Sequence, residues 1–368
     1  MTISIGAPHV ITPLGHDLAT TLEAMREGRC AIAPTPVAPD LGGSLPAAAI
    51  PQGPWDGPSR TVDLAARAIT RIWDQVDRGA RGSGRWRWVL ATTKGDIHEL
   101  EHGDPEAAWL PAFGERVARK AGLDHDPIII SNACISGTLA IKHAADLVAL
   151  DVCDHVLVVG IDVLSDFVLS GFTALHALSA RPCRPFDNDR DGISLGEAAA
   201  ALIVTRDPNI FTHGPLATYL GGGMGNDANH ISGPSRTGEG LYRAVQAAFR
   251  SAAIGPGDVD HVNAHGTGSV YNDNMEAIAF GRCGVAQVGL NSYKGYFGHT
   301  LGAAGTVETA IALQGLREGV LLASLGATDT SAYPDLRVMH RSEPTQGRTL
   351  LKTSSGFGGC NAAIILRT

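Results

Sequence analysis

Two stretches far apart in the chain repeat one pattern. IIISNACISGTLAIKHAADLV, around residue 134, and VGLNSYKGYFGHTLGAAGTVETAIAL, around residue 299, each pass from a short apolar strand through a turn into a helix rich in small residues. Such self-similarity predicts an internal duplication of about half the chain, with the two equivalent turns face to face. Around both copies strands alternate with helices, the pattern of an α/β fold with a partly parallel sheet. The first series closes at the Asp207-Pro208 break, so the halves are expected at 1–207 and 208–368.

The first half reads as a strand, a helix from LATTLEAMREG capped at Gly28, a Pro/Gly-rich loop over 35–60 and a helix over VDLAARAITRIWDQV. The strand RWVLATT, a charged loop near 95–106 and a helix to Lys120 follow, and HVLVVGIDV and EAAAALIVTRD are further buried strands. In the second half the spacing predicts the strand LATYLGGG, a helix over 238–253, the strand HVNAHG and a helix near 274–280.

At 368 residues and 44% hydrophobic content the chain can bury a large core. A net charge of −8 argues against a nucleic-acid surface, which needs a positive field over a sizeable face. No apolar run reaches membrane-spanning length, so no integral membrane contact is expected. MTISIGAPHVITPLG carries neither a basic leader nor a cleavage site, which points to the cytoplasm. Cys30, Cys134, Cys153, Cys183, Cys283 and Cys360 are scattered without metal-ligand spacing, so reduced thiols and no metal are expected.

Cys134 falls at a strand-to-helix turn, where unpaired N–H groups and the helix dipole favour a thiolate. His265 in VNAHGTGS and His299 in YFGHTLGAAG also lie at strand ends beside glycines, which let backbone and substrate approach. A cysteine with two distant histidines suits nucleophilic catalysis.

SNACISG, the HGT of VNAHGTGS, the K-x-x-x-GH-x-x-GAAG run from Lys294, and SSGFGGCN resemble, in order and spacing, the motifs of the β-ketoacyl-acyl-carrier-protein synthases. VITPLG, GFTALHALSA and RPFDNDRDGISLGEAAA resemble further family segments. The resemblance implies a thiolase-like α/β fold of two βαβαβ-type halves in five αβαβα layers. It also implies decarboxylative condensation of malonyl-carrier protein with an acyl group on Cys134, in fatty acid, polyketide or polyene synthesis. His265 and His299 would bind the malonyl thioester carbonyl, with Lys294 and Glu308 holding them from behind. The backbones of Cys134 and Phe357 would form the oxyanion hole, and Phe357 the gate.

Thr267 and Ser269 would bind the phosphopantetheine arm, and no cofactor beyond that arm is implied. Asp273 and Glu276 match acidic family positions, although fixing the loop and capping a helix explain them as well. The implied partners are acyl carrier protein, docked near Arg181, Arg184 and Arg190, and a second subunit, in a homodimer or in a heterodimer with a related ketosynthase. A chain-length-factor-like subunit is the alternative, against which the retained cysteine and histidines speak. The sequence departs from the pattern in a short segment before Cys134, in Cys360 and Ser355, and in Ile135, whose bulk would shape the acyl pocket.

Overall fold

The computed structural model describes residues 2–37, 42–227, 229–230 and 233–368. Ten strands form its main sheet: β1 (Ile3–Ile11), β2 (Trp86–Ala91), β3 (Ile128–Ile130), β4 (His155–Asp162) and β5 (Ala198–Thr205), then β6 (Ala217–Asn226), β7 (His261–Asn263), β8 (Gly289–Asn291), β9 (Thr349–Gly356) and β10 (Cys360–Arg367). Their spatial order is β8-β7-β9-β10-β6-β1-β5-β4-β2-β3. Outward from the centre the first half runs β1, β5, β4, β2, β3, and the second β6, β10, β9, β7, β8. The permutation is the same in both, so the repeat seen in sequence is a repeat of topology. An antiparallel β1/β6 pair, Ile5 opposite Ala217, joins the halves. In each half three strands at the outer edge are parallel.

Eight longer helices accompany the sheet: α1 (Leu18–Arg26), α2 (Arg60–Ile72), α3 (Leu110–Ala121), α4 (Ser136–Ala149), α5 (Asp166–Ala174), α6 (Glu239–Ala252), α7 (Val270–Cys283) and α8 (Ala304–Arg317). The helices α2 and α3 share a core with one face of the first-half strands, and α6 and α7 do so in the second half. Between the two halves lie α4 and α8, whose Ala140, Ile141, Val307 and Ile311 pack with Val158, Leu202, Leu350 and Ile364. These are the five layers. The β5 sequence AAAALIVT shows why both faces are covered: Ala200, Leu202 and Val204 enter the central core, while Ala199, Ala201 and Ile203 enter the outer one.

The two central helices meet at their first turns through glycines. A Cβ on Gly305 would lie 2.1 Å from the Thr138 nitrogen, and one on Gly137 would lie 2.7 Å from that of Thr306. Only glycine permits this approach. Because α4 follows the Cys134 turn and α8 the His299 turn, the contact brings the two turns together.

Three local expectations change. The 35–60 loop contains a hairpin, Ala33–Pro36 against Ser44–Ala48, whose second strand also pairs with Leu195–Gly196. Prolines hid it, but an outlying strand tolerates them; residues 38–41 of that loop lie outside the described residues. The charged loop near 95–106 includes a short helix, His98–Glu101. The helix expected near 274–280 begins at Val270, because Ser269 caps it by accepting from the Asn272 N–H; Val, Tyr and Asn are weak helix formers and masked that start.

Candidate active site

The turn carrying Cys134 is held from within. Ser136 Oγ accepts from the Asn132 N–H at 2.8 Å and donates to the Ala133 carbonyl at 2.7 Å. Ala133 sits at φ 44°, a strained conformation for a residue with a Cβ. The result presents a nearly buried Cys134, 7% exposed.

His265 follows β7. Glu276 on α7 accepts from the N–H groups of His265 and Gly266 at 2.8 and 2.6 Å, while Asp273 accepts from Thr267 at 3.0 Å and Phe186 at 2.8 Å. These two acids tie down the HGT loop, and the capping of α7 falls to Ser269. Burial and the neighbouring Asp273 push the Glu276 carboxyl up to about 7.

His299 lies between β8 and α8. Its N–H donates to the Ser194 carbonyl at 2.7 Å, and its Nδ1 accepts from the Leu301 N–H at 3.2 Å. A neutral imidazole that accepts at Nδ1 carries its proton on Nε2, so His299 presents a donor at Nε2. The His265 and His299 rings stand 4.9 Å apart at 80°. Cys134 Sγ and one nitrogen of each imidazole lie within 4.8 Å of one another. Burial, together with the Lys294 and Lys352 ammoniums, holds both histidines well below the ordinary imidazole value. They are neutral at physiological pH.

Behind the histidines, Lys294 Nζ donates to the His265 carbonyl at 2.5 Å and to Glu308 at 2.8 Å. The second Glu308 oxygen is taken at 2.5 Å by Lys352, which sequence reasoning missed. Its signal was a lysine inside the strand TLLKTSSG, buried throughout except at its last residue. Asp162, at the end of the apolar strand HVLVVGID, was also missed. It accepts from the Gly302 N–H at 2.7 Å, the Thr93 N–H at 2.9 Å and Lys94 Nζ at 2.8 Å, and so ties the first half to the His299 loop.

A cavity of about 310 Å³ opens onto this cluster, lined among others by Cys134, His265, His299, Thr267, Ser269 and Phe357. The Thr267 and Ser269 hydroxyls are 2.9 Å apart. Phe357 is partly exposed and stacks on Phe172, centroids 5.6 Å apart, on a turn whose Gly358 and Gly359 have φ of 83° and 73°. The Phe357 N–H acts on the Cys134 sulfur and favours its ionised form. A lowered thiol pKa was expected at the helix terminus. Burial overrides it and pushes the Cys134 thiol up to about 12, helped by neighbouring Cys360.

Ile135 does not line the cavity; it packs with Cys360 and Ala362. Cys360 donates to the Phe357 carbonyl at 3.2 Å. Arg190 is a structural residue, bonded to the Asp187 carbonyl and Asn274 and stacked over Tyr333 at 4.8 Å. Arg181 and Arg184 are more exposed, each directed at a neighbouring acidic residue, Asp191 and Asp187.

The N-terminal domain of beta-ketoacyl synthase matches residues 112–209, and its C-terminal domain matches 216–328. The 3-oxoacyl-[acyl-carrier-protein] synthase 2 of Rhizobium meliloti is 33% identical over 65% of the chain, a stretch covering 60% of that relative. The synthase of the same name from Mycobacterium tuberculosis is 33% identical over 80% of the chain and 77% of the relative. Nodulation protein E of Rhizobium leguminosarum bv. trifolii is 30% identical over 96% of each. Among solved structures, a ketosynthase in complex with its chain length factor from Xenorhabdus doucetiae superposes with a TM-score of 0.88 at 27% identity, over 100% of this chain and 98% of that one. The duplicated five-layer fold, the two matched domains and relatives similar over most of its length place the chain in the β-ketoacyl synthase family of condensing enzymes.

Proposed function

We propose that the chain is an elongating β-ketoacyl-acyl-carrier-protein synthase. The closeness of the Cys134 sulfur and both imidazoles, within 4.8 Å, carries this reading. In the first half-reaction Cys134 attacks the thioester of an acyl-carrier protein. The N–H groups of Cys134 and Phe357 receive the oxyanion, and the departing phosphopantetheine thiolate takes the proton that Cys134 gives up. Thr267 and Ser269 hold the arm, and no other cofactor is required.

In the second half-reaction malonyl-carrier protein enters, its thioester carbonyl accepting from His299 Nε2–H and from His265. The bond to the carboxylate breaks, CO2 leaves, and its electron pair becomes an enolate stabilised by those donors. The enolate carbon attacks the acyl-Cys134 carbonyl, the Cys134 thiolate departs and is reprotonated, and the chain grows by a two-carbon unit. Neutral imidazoles suit the task, since the thioester oxygen needs donors and no metal. Lys294 and Glu308 keep His265 in place.

The proposed partners are acyl carrier protein and a second subunit, either another copy or a related ketosynthase. Two similar structures, those from Xenorhabdus doucetiae and of the ishigamide system, are of a ketosynthase with a chain length factor, which supports the heterodimer. The Cys134 cluster supports the catalytic role over a chain-length-factor role. Among the described residues no helix is long and apolar enough to cross a membrane; a cytoplasmic location is part of the proposal.

Condensation reconstituted with malonyl-carrier and a panel of acyl-carriers tests the reading. Wild type should yield β-ketoacyl product, and Cys134→Ala should yield neither product nor acyl-enzyme. Free acid as sole product would instead indicate a hydrolase, and labelling by cerulenin of a partner subunit alone would indicate a chain-length factor.

A further inference from the structure

Lys352 is fully buried on β9 and does not line the cavity, yet its ammonium and that of Lys294 share a single carboxylate, Glu308. Two cations facing one committed anion leave surplus positive charge, and burial lowers the Lys352 pKa below the usual lysine value while Glu308 works against that shift. One ammonium would suffice to hold Glu308. The other titratable groups around the cluster are His261 on β7, His265 and His299 in front, Glu276 and Asp273 from α7, Tyr293 beside Lys294, Cys183 against the Lys294 carbonyl, and Cys134 and Asp162 beyond the histidines. Asp273 has Arg190 at 3.9 Å, and Asp162 has Lys94. Glu276, with its raised pKa, is the remaining carboxylate acting on Lys352 and is only partly ionised near neutrality.

The histidines stand between this charge and the cavity. We propose that Lys352 is a positioning residue for the decarboxylating half-reaction, supplying through Glu308 and Lys294 the surplus positive field that draws negative charge from a malonyl-type carboxylate onto the histidine-bound enolate oxygen. This rests on the condensing function proposed above. The balance is that of a plain decarboxylation: the carbon–carbon bond breaks, CO2 leaves, and the electron pair moves toward the histidines, which line the cavity while the two lysines do not. A field that favours the charge after this shift more than before it lowers the barrier. Attack of Cys134 on an acyl thioester moves no carboxylate charge, and its oxyanion is taken by the N–H groups of Cys134 and Phe357, so it depends less on that field. The same field keeps His265 and His299 neutral, and therefore His299 able to accept from Leu301 and donate from Nε2.

Full-length wild type, Lys352→Met and Lys352→Gln should be compared in both half-reactions. The variants should acylate Cys134 from acyl-carrier within about twofold of wild type, by intact-protein mass, and release CO2 from malonyl-carrier about tenfold or more slowly. Their acid limb should move to higher pH, because removing a cation raises the histidine pKa values. In 15N-histidine NMR titrations, assigned with His299→Gln, the His299 resonance should titrate at higher pH in Lys352→Met, a readout independent of turnover. Equal losses in both half-reactions with a lowered Tm would show a structural lysine and overturn the proposal, as would unchanged CO2 release or an unshifted His299. Wild type that acylates but never decarboxylates would overturn the condensing function itself, while the NMR shift would still report whether Lys352 sets the field.

Discussion

The N–H of Leu301 donates to Nδ1 of His299 at 3.2 Å from a backbone held at φ 51°, a conformation strained for a branched side chain. Asp162 stabilises that conformation through the next residue, bonding the Gly302 N–H at 2.7 Å. A carboxylate at the end of β4, in the first half, thus selects the tautomer of a histidine in the second.

Asp162→Asn should therefore slow condensation more than acylation. Losing one charge-assisted hydrogen bond, worth roughly 1.5–3 kcal/mol, corresponds to about 10- to 150-fold if expressed fully in the rate. Separate assays of the two half-reactions check this, and equal losses would assign Asp162 to folding alone.

The pKa of Cys134 predicts slow alkylation. A thiol pushed up to about 12 is protonated at pH 7, so iodoacetamide labelling of Cys134, followed by peptide mass spectrometry, should rise about tenfold per pH unit from 7 to 9. Phe357→Ala removes cover from the sulfur and should speed labelling at fixed pH. A rate independent of pH across that range would contradict the burial argument.

Acid should destabilise the fold before the ordinary carboxylates titrate; Glu276, raised to about 7, gains its proton in this window and offsets only part of the loss. Burial lowers His9 and His261 to about 4, and His265 and His299 well below their ordinary value. A group whose folded pKa is depressed adds stability above its unfolded value, about 6.5 for histidine, and that stability is lost as pH falls toward the folded value. Each fully depressed histidine contributes up to about 1.4 kcal/mol per pH unit in this window. Denaturant midpoints should drop between pH 7.5 and 5, and an unchanged midpoint would show that these histidines are not buried neutral.

The contact of α4 with α8 predicts opposite effects for two glycines. Gly305→Ala drives a Cβ to 2.1 Å from the Thr138 nitrogen and should cost roughly 1–3 kcal/mol or more, with loss of activity as the Cys134 and His299 turns separate. In α7, Gly281 has nothing within 4 Å of its Cβ position, and Gly281→Ala should stabilise by about 0.5–1 kcal/mol. Thermal melts of the two variants distinguish a packing glycine from an incidental one.

What was legible in the chain was local. The alternation of apolar strands with small-residue helices marked β3-α4 and β8-α8 as copies, and Cys134, His265, His299, Lys294 and Glu308 stood in motifs that survive as linear patterns. Glycine, proline and burial periodicity act over a few residues, so they can be read along the chain. Lys352 and Asp162 could not be assigned roles this way: each is one charged residue in an apolar strand, and its partner lies 44 or 140 positions away. The thiol pKa of Cys134 also escaped, because the helix terminus that favours a thiolate is visible in sequence, whereas the burial that overrides it depends on β10, whose Cys360 and Ala362 pack against the turn. The sequence alone marked the groups that are proposed to carry the chemistry. Only the tertiary structure decided their charge and their tautomer, since both follow from desolvation and from hydrogen bonds between the two halves of the fold.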